Sequence, residues 1–127
     1  GLSEVDLDVI KKAPEYFDVV SVQTVSSVAP RPWERVLQYC KAHQIAFLPW
    51  FPLNAGNVAS QDKLKQVADK YDASVHQVAL SWLLNHSDNI LLIPGTSSVK
   101  HLEENMDAAS LELDETDIQL LNSIDPQ

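Results

Sequence analysis

A chain of 127 residues with a net charge of −9 and a pI near 4.6 argues against nucleic acid, whose binders carry a basic face. It also argues against polybasic attraction to anionic lipid. Hydrophobic residues make up 45%, ordinary for one globular domain spanning 1–127, and no apolar run approaches the roughly 20 residues that cross a bilayer. The opening GLSEVDLDVI has neither a basic region nor an apolar signal core, and the single cysteine, Cys40, has no internal disulfide partner. A cytoplasmic protein with no membrane or nucleic-acid partner is the expectation.

In chain order, Ser3 can cap a helix, with Asp6 three residues later in the manner of a capping box; Val5, Val9 and Ile10 give it an apolar stripe until Pro14. Residues 18–23 are short, β-branched and largely apolar, as in a strand buried on both faces. Pro30 and Pro32 mark a loop, after which Trp33, Val36, Leu37 and Cys40 recur on one helical face. A second strand is predicted over 45–50, and a turn at Asn54–Asn57. Leu64, Val67, Ala68 and Tyr71 mark a third helix. Ser74 and Gln77 form a capping box for a fourth, which points Val78, Ala79, Trp82 and Leu83 inward. A third strand is predicted near 89–93. Thr96-Ser97-Ser98 opens a helix carrying Leu102, Met106 and Ala109, and Asp114 starts a last one through Ile118, Leu121 and Ile124.

Strands alternating with helices imply an α/β fold with a parallel sheet and helical crossovers. About three strands with flanking helices are too few to close a barrel, which is odd for a complete domain of this class.

Three stretches carry chemistry. Ile93-Pro94-Gly95-Thr96-Ser97-Ser98 runs from a strand into a helix, where glycine admits a close ligand and hydroxyls join free N–H groups in an anion site. The same residues also suit a plain helix N-cap with nothing bound. Trp50 ends the second predicted strand and is either a pocket wall for a flat heterocycle or a rim aromatic. Gln23 ends the first, and its amide needs a ligand or a neighbouring loop. The four histidines show no ligand spacing, so no metal is expected. Cys40 reads as a small core residue, and no nucleophile motif, P-loop or GxGxxG is present.

Taken together, Gly1-Leu2-Ser3, Ser21-Val22-Gln23, the run Tyr39 to Leu53 (YCKAHQIAFLPWFPL), Val78 to Leu84 (VALSWLL) and Ile93 to Asn105 (IPGTSSVKHLEEN) resemble the C-terminal half of an aldo-keto reductase. The resemblance covers essentially the whole chain, with Gly1-Leu2-Ser3 at the end of the family's fifth strand. It implies the C-terminal part of a (β/α)8 TIM barrel, here incomplete, in a family that reduces carbonyls with NADPH and without a metal. It implies that Ser3 and Gln23 hydrogen-bond the nicotinamide carboxamide, that Trp50 stacks on the nicotinamide ring and that Leu53 lies near the pyrophosphate. Gly95, Thr96, Ser97 and Ser98 match the loop around the adenosine 2′-phosphate. His101 stands where many members place a phosphate-binding arginine, and Asn105 matches an adenine contact.

The chain departs from the family pattern at Glu4 and Thr24, both usually asparagine, and at Ser26, often tyrosine. An acceptor-only carboxylate cannot reproduce both halves of an amide's bonding. The family's Asp, Tyr, Lys and His tetrad belongs to the first half of the barrel. Tyr16, Tyr39 and Tyr71 fall on predicted helices or their ends and no lysine ends a strand, so no substitute general acid is found and no catalytic residue is assigned.

Two readings follow. In one, the chain is the NADP-binding C-terminal portion of an aldo-keto reductase, inactive alone and weak or lacking in NADP binding; the start at a strand end without a methionine favours a piece of something longer. In the other, it is a stand-alone, non-catalytic half-barrel that binds a nucleotide or another protein. Either way, open strand edges and inward residues Val20, Val22, Ala46, Leu48, Leu91 and Ile93 lead us to expect self-association or pairing with a separate N-terminal half-barrel.

Overall fold

The computed structural model describes residues 1–25, 32–50 and 58–124, with the side chains of 58–61 excepted. In order these form β1 (Leu2–Ser3), α1 (Leu7–Lys12), a 3-10 turn (Ala13–Glu15), β2 (Ser21–Val25), α2 (Glu34–Ala42), β3 (Ala46–Trp50), α3 (Val58–Tyr71), α4 (Val75–His86), α5 (Val99–Asp107), a second 3-10 turn (Ala108–Ser110) and α6 (Glu115–Asn122).

The three strands lie in the order β1-β2-β3, all parallel. Ser3 sits beside Gln23, which sits beside Leu48, and Val22 sits beside Phe47. A parallel sheet with helical connections is therefore present, but its strands are not quite the expected ones. The first expected strand, 18–23, begins three residues later and ends two later, at Ser21–Val25. The segment expected as a strand near 89–93 contributes a single parallel bridge, Phe47 with Ile90. Two bonds hold it, from Phe47 N–H to the Asn89 carbonyl (2.8 Å) and from Leu91 N–H to the Phe47 carbonyl (2.9 Å). Among the described residues its pairing partner is β3 alone.

The third strand is instead Leu2–Ser3, as the resemblance of Gly1-Leu2-Ser3 to a strand end implies, and Ser3 is not the helix cap that local pattern alone suggests. Asp6 caps α1 by itself, its carboxylate accepting from Val9 N–H at 2.9 Å. Ser3 is committed to the sheet beside Gln23, and sheet pairing takes precedence over the local alternative.

Strand alternation separates two faces. Val22, Phe47 and Pro49 are buried against the helices, while Ser21, Gln23, Ala46 and Leu48 on the other face are half-buried. The core on the helical side joins Ile10, Leu37, Cys40, Phe47, Val67, Val78, Trp82, Leu83 and Leu121. Trp33 bridges sheet and helices, 5.9 Å from the Phe47 ring and 6.3 Å from that of Trp82. Val22, expected among the uncovered inward residues, is 0% exposed. A one-residue error of register turns a strand side chain to the opposite face, and Val22 shares its face with Phe47. Val20, Leu91 and Ile93 are exposed as expected, at 66%, 57% and 44%. Cys40 is a buried core residue, and burial pushes its thiol up to about 11.

The remaining correction concerns α5. Its apolar positions Leu102 and Met106 are 52% and 67% exposed, Ala109 lies exposed in the turn beyond it, and the helix buries no residue.

Candidate functional site

In a parallel α/β fold, ligands gather beyond the C-terminal ends of the strands, where side chains and free N–H groups converge. Ser3 ends β1, Val25 ends β2 and Trp50 ends β3, and Gly95–Ser98 follows the segment that runs parallel beside β3. The described candidate residues thus form two groups at that end of the sheet.

The first group is Ser3, Gln23 and Trp50. Ser3 and Gln23 are lateral neighbours across β1 and β2, so the structure brings these two together. Trp50 pairs with Val25 at the last register position of β2 and β3 and is 38% exposed, unlike the buried Trp33 and Trp82. Leu53, and the departure at Ser26, lie outside the described residues.

Glu4 joins this group, although its residue type marked it only as a departure. Its Oε1 accepts from Val25 N–H at 2.7 Å and from the Trp50 indole Nε1–H at 2.8 Å. Its own N–H donates to the Gln23 carbonyl at 2.9 Å. Glu4 therefore connects the ends of three strands. Its φ is +53°, a left-handed conformation that costs a non-glycine residue roughly 1–2 kcal/mol. Gln44 and Asp72 share this conformation for a different reason: each follows a helix, where the next residue's N–H bonds back to the helix (Ile45 to the Cys40 carbonyl, Ala73 to the Ala68 carbonyl). Glu4 follows a strand, so no helix cap explains its backbone. Sequence reasoning missed this role because the acceptors and donors are 21 and 46 positions apart. The only signal was an unusual carboxylate beside a serine at a strand end.

The second group surrounds the start of α5. Gly95, Thr96 and Ser97 are exposed, and a Cβ built on Gly95 meets nothing within 4 Å, so the space above it is open. Thr96 Oγ1 accepts from Ser98 N–H at 3.1 Å, and Ser98 Oγ caps the helix by accepting from His101 N–H at a long 3.4 Å. The first turn of α5 holds no acidic residue; it carries Lys100 and His101. A lysine cation at a helix N-terminus opposes the helix dipole, whereas an anion would suit both. His101 is exposed and Asn105 half-buried one turn further on.

Among the described residues no group of three or more His, Cys, Asp or Glu side chains is arranged to hold a metal ion, and no helix is long and apolar enough to cross a membrane.

Comparison with known proteins agrees with this architecture. The chain is 49% identical over 114 residues to the uncharacterized oxidoreductase C215.11c of Schizosaccharomyces pombe, covering 89% of this chain and 37% of that protein. It is 40% identical over 124 residues to pyridoxine 4-dehydrogenase of Escherichia coli, covering 98% of this chain and 43% of that one. Among solved structures, the thermostable aldo-keto reductase Tm1743, in complex with the inhibitor epalrestat, superposes with a TM-score of 0.91 at 27% identity, over 98% of this chain and 47% of its own. A Gox0644 mutant in complex with NADPH gives 0.83 at 24% identity, over 98% and 46%. The chain thus spans less than half the length of each of these proteins. The model of the aldo/keto reductase family matches residues 1–126, and this chain belongs to that family.

Proposed function

We propose that this chain is the NADP-binding, C-terminal portion of a carbonyl-reducing, alcohol-oxidising oxidoreductase, acting in the cytoplasm. The observation that carries this reading is the start of α5: an open glycine, hydroxyls at Thr96, Ser97 and Ser98, and the side chains of Lys100 and His101 in a first turn that holds no acidic residue. This is the chemistry of a phosphate site. The NADPH bound by the Gox0644 variant supports the choice of ligand. Ser3 and Gln23 would hold the carboxamide, Trp50 the nicotinamide face and Asn105 the adenine.

Among the described residues no tyrosine, lysine or histidine ends a strand; in the family the general acid belongs to the tetrad of the first half-barrel. We therefore assign no catalytic residue and expect no turnover from the isolated chain. When bound, the dinucleotide supplies hydride, and this chain's residues bind and orient it. Titration of intrinsic fluorescence with NADP+ and NAD+ tests the reading. We expect weak binding that favours NADP+, strengthened by His101→Arg, whose guanidinium pairs with phosphate in two places. Equal affinity for the two dinucleotides, or none at millimolar concentration, would overturn it.

A second reading, a binding half-barrel that pairs with itself or with a separate first half, is favoured by one observation. Exposed apolar side chains cluster on α5 (Val99, Leu102, Met106) and on the segment beside β3 (Leu91, Ile93). Such a surface favours pairing with another chain. Sedimentation at micromolar concentration tests this, and a stable monomer would count against it.

A further inference from the structure

We propose that Glu4 is a positioning residue that locks the Trp50 ring at the mouth of the sheet, so that the ring is presented ready-oriented to a flat heterocycle. This rests on the cofactor reading above for the identity of the heterocycle, though not for the lock itself.

Trp50 ends β3 with 38% of its surface exposed, and an aromatic side chain in that position has rotameric freedom to lose on binding a ligand. One carboxylate oxygen of Glu4 holds it. The indole Nε1–H donates to Oε1 at 2.8 Å, and Val25 N–H donates to the same atom at 2.7 Å. A bond to an ionised acceptor is short and about twice as strong as a neutral one. The second donor fixes the carboxylate against the backbone of β2, so Glu4 cannot swing with the ring. Its backbone is fixed in turn, through the bond from Glu4 N–H to the Gln23 carbonyl at 2.9 Å and a φ of +53° that no helix cap requires. Strained backbone persists where surrounding contacts over-determine it, and here the contacts converge on one indole edge. The carboxylate has no proton to donate. Glu4 therefore does not replace an amide that grips a carboxamide; it acts through Trp50.

The test uses the full chain, 15N-labelled on its tryptophan indoles. Trp50→Phe identifies the Trp50 Nε1–H resonance by its loss. In Glu4→Ala that resonance should move upfield and exchange with water at least about tenfold faster, as a lost charge-assisted bond requires, while those of Trp33 and Trp82 stay in place. Glu4→Gln, which keeps an oxygen acceptor, should fall between. NADP+ affinity should drop about tenfold in Glu4→Ala, and affinity for adenosine 2′,5′-bisphosphate, which has no nicotinamide, should not change. In the Trp50→Phe background, replacing Glu4 should cost no further affinity. An unmoved Trp50 resonance in Glu4→Ala overturns the lock. A moved resonance with unchanged NADP+ affinity overturns the positioning role and leaves the cofactor reading intact. If the wild-type chain binds neither ligand, the cofactor reading fails and the positioning role with it, while the resonance still decides the lock. Should Glu4→Ala not fold, Glu4→Gln and the Trp50→Phe cycle decide by the same criteria.

Discussion

Two consecutive helices, α4 and α5, carry apolar residues at helical spacing and meet opposite fates. In α4 every residue from Val78 to Leu83 is buried, Ser81 included, whose Oγ donates to the Leu111 carbonyl at 2.8 Å. In α5 nothing is buried, and Val99, Leu102 and Met106 are among the more exposed large side chains of the molecule. Periodicity states that a helix has an apolar face; it does not state whether the same chain covers it. The α4 face is satisfied by α3, α6, Trp33 and the sheet. The α5 face is suited to a surface that the described residues do not provide.

The largest expected effect tests the buried member of this pair. Trp82→Ala removes a ring packed near Trp33 and the indole bond to Asn122 Oδ1 (2.9 Å), and should lower unfolding free energy by about 3–5 kcal/mol. Leu102→Ala should stay within about 0.5 kcal/mol. Urea unfolding of both variants measures the contrast, and equal losses would erase it.

The exposed member is tested by association. Leu102→Asp together with Met106→Asp should leave the helical signal unchanged and weaken self-association, or pairing with a first half-barrel, by at least about tenfold, since each apolar side chain contributes roughly 1.5–3 kcal/mol when covered. Sedimentation velocity reads the result; an unchanged distribution of species would place the interface elsewhere.

The caps sharpen the contrast at smaller scale. Ser74 and Gln77 form a complete capping box on α4, at 3.1 Å and 2.9 Å, whereas Ser98 caps α5 only at 3.4 Å. Ser74→Ala should cost about 1 kcal/mol. Ser98→Ala should cost less stability than that, and should reveal itself in weaker binding of NADP+. Thermal melts with and without the dinucleotide separate the two.

The smallest effect is the response to acid of the layer that holds α4. Lys70 bonds both Asp114 (2.5 Å) and Asp117 (2.9 Å), tying α3 to α6. The Lys70 hydrogen bond holds the Asp114 carboxyl down at about 2, below its ordinary 3.8. A lowered folded value means that this contribution is present above about pH 4 and lost as pH falls toward 2. Both groups are largely exposed, so screening keeps the effect modest. Asp114→Asn should flatten the acid limb of stability between pH 4 and pH 2, and should leave amide exchange in α5 unaltered. An acid limb identical to wild type would remove the tie from the account.

Local chemistry was legible in the sequence wherever donor and acceptor lie within one turn. The Ser74–Gln77 box and the start of α6 at Asp114 follow from spacing alone, because their partners are three positions away. So does Cys40 as a core residue, on the same α2 face as Leu37. The start of the chain was less legible. Ser3 and Asp6 are both good cap residues by local pattern; the family resemblance puts Ser3 at a strand end, and the pairing of Ser3 with Gln23, twenty positions on, is what holds it there.

Sequence by itself determined the class of this protein: alternating apolar strands and capped helices, with a glycine and hydroxyl loop leading into α5, in a pattern specific enough to point to its family. Tertiary structure decided the rest. It set which face of β2 is buried, since register places Val22 beside Phe47. It reduced residues 89–93 to a single bridge, Phe47 with Ile90. It also turned Glu4 from a missing amide into the acceptor for Val25 and Trp50. A hydrogen bond between residues 46 positions apart exists only once the strand ends have been brought side by side, and no local pattern encodes that approach.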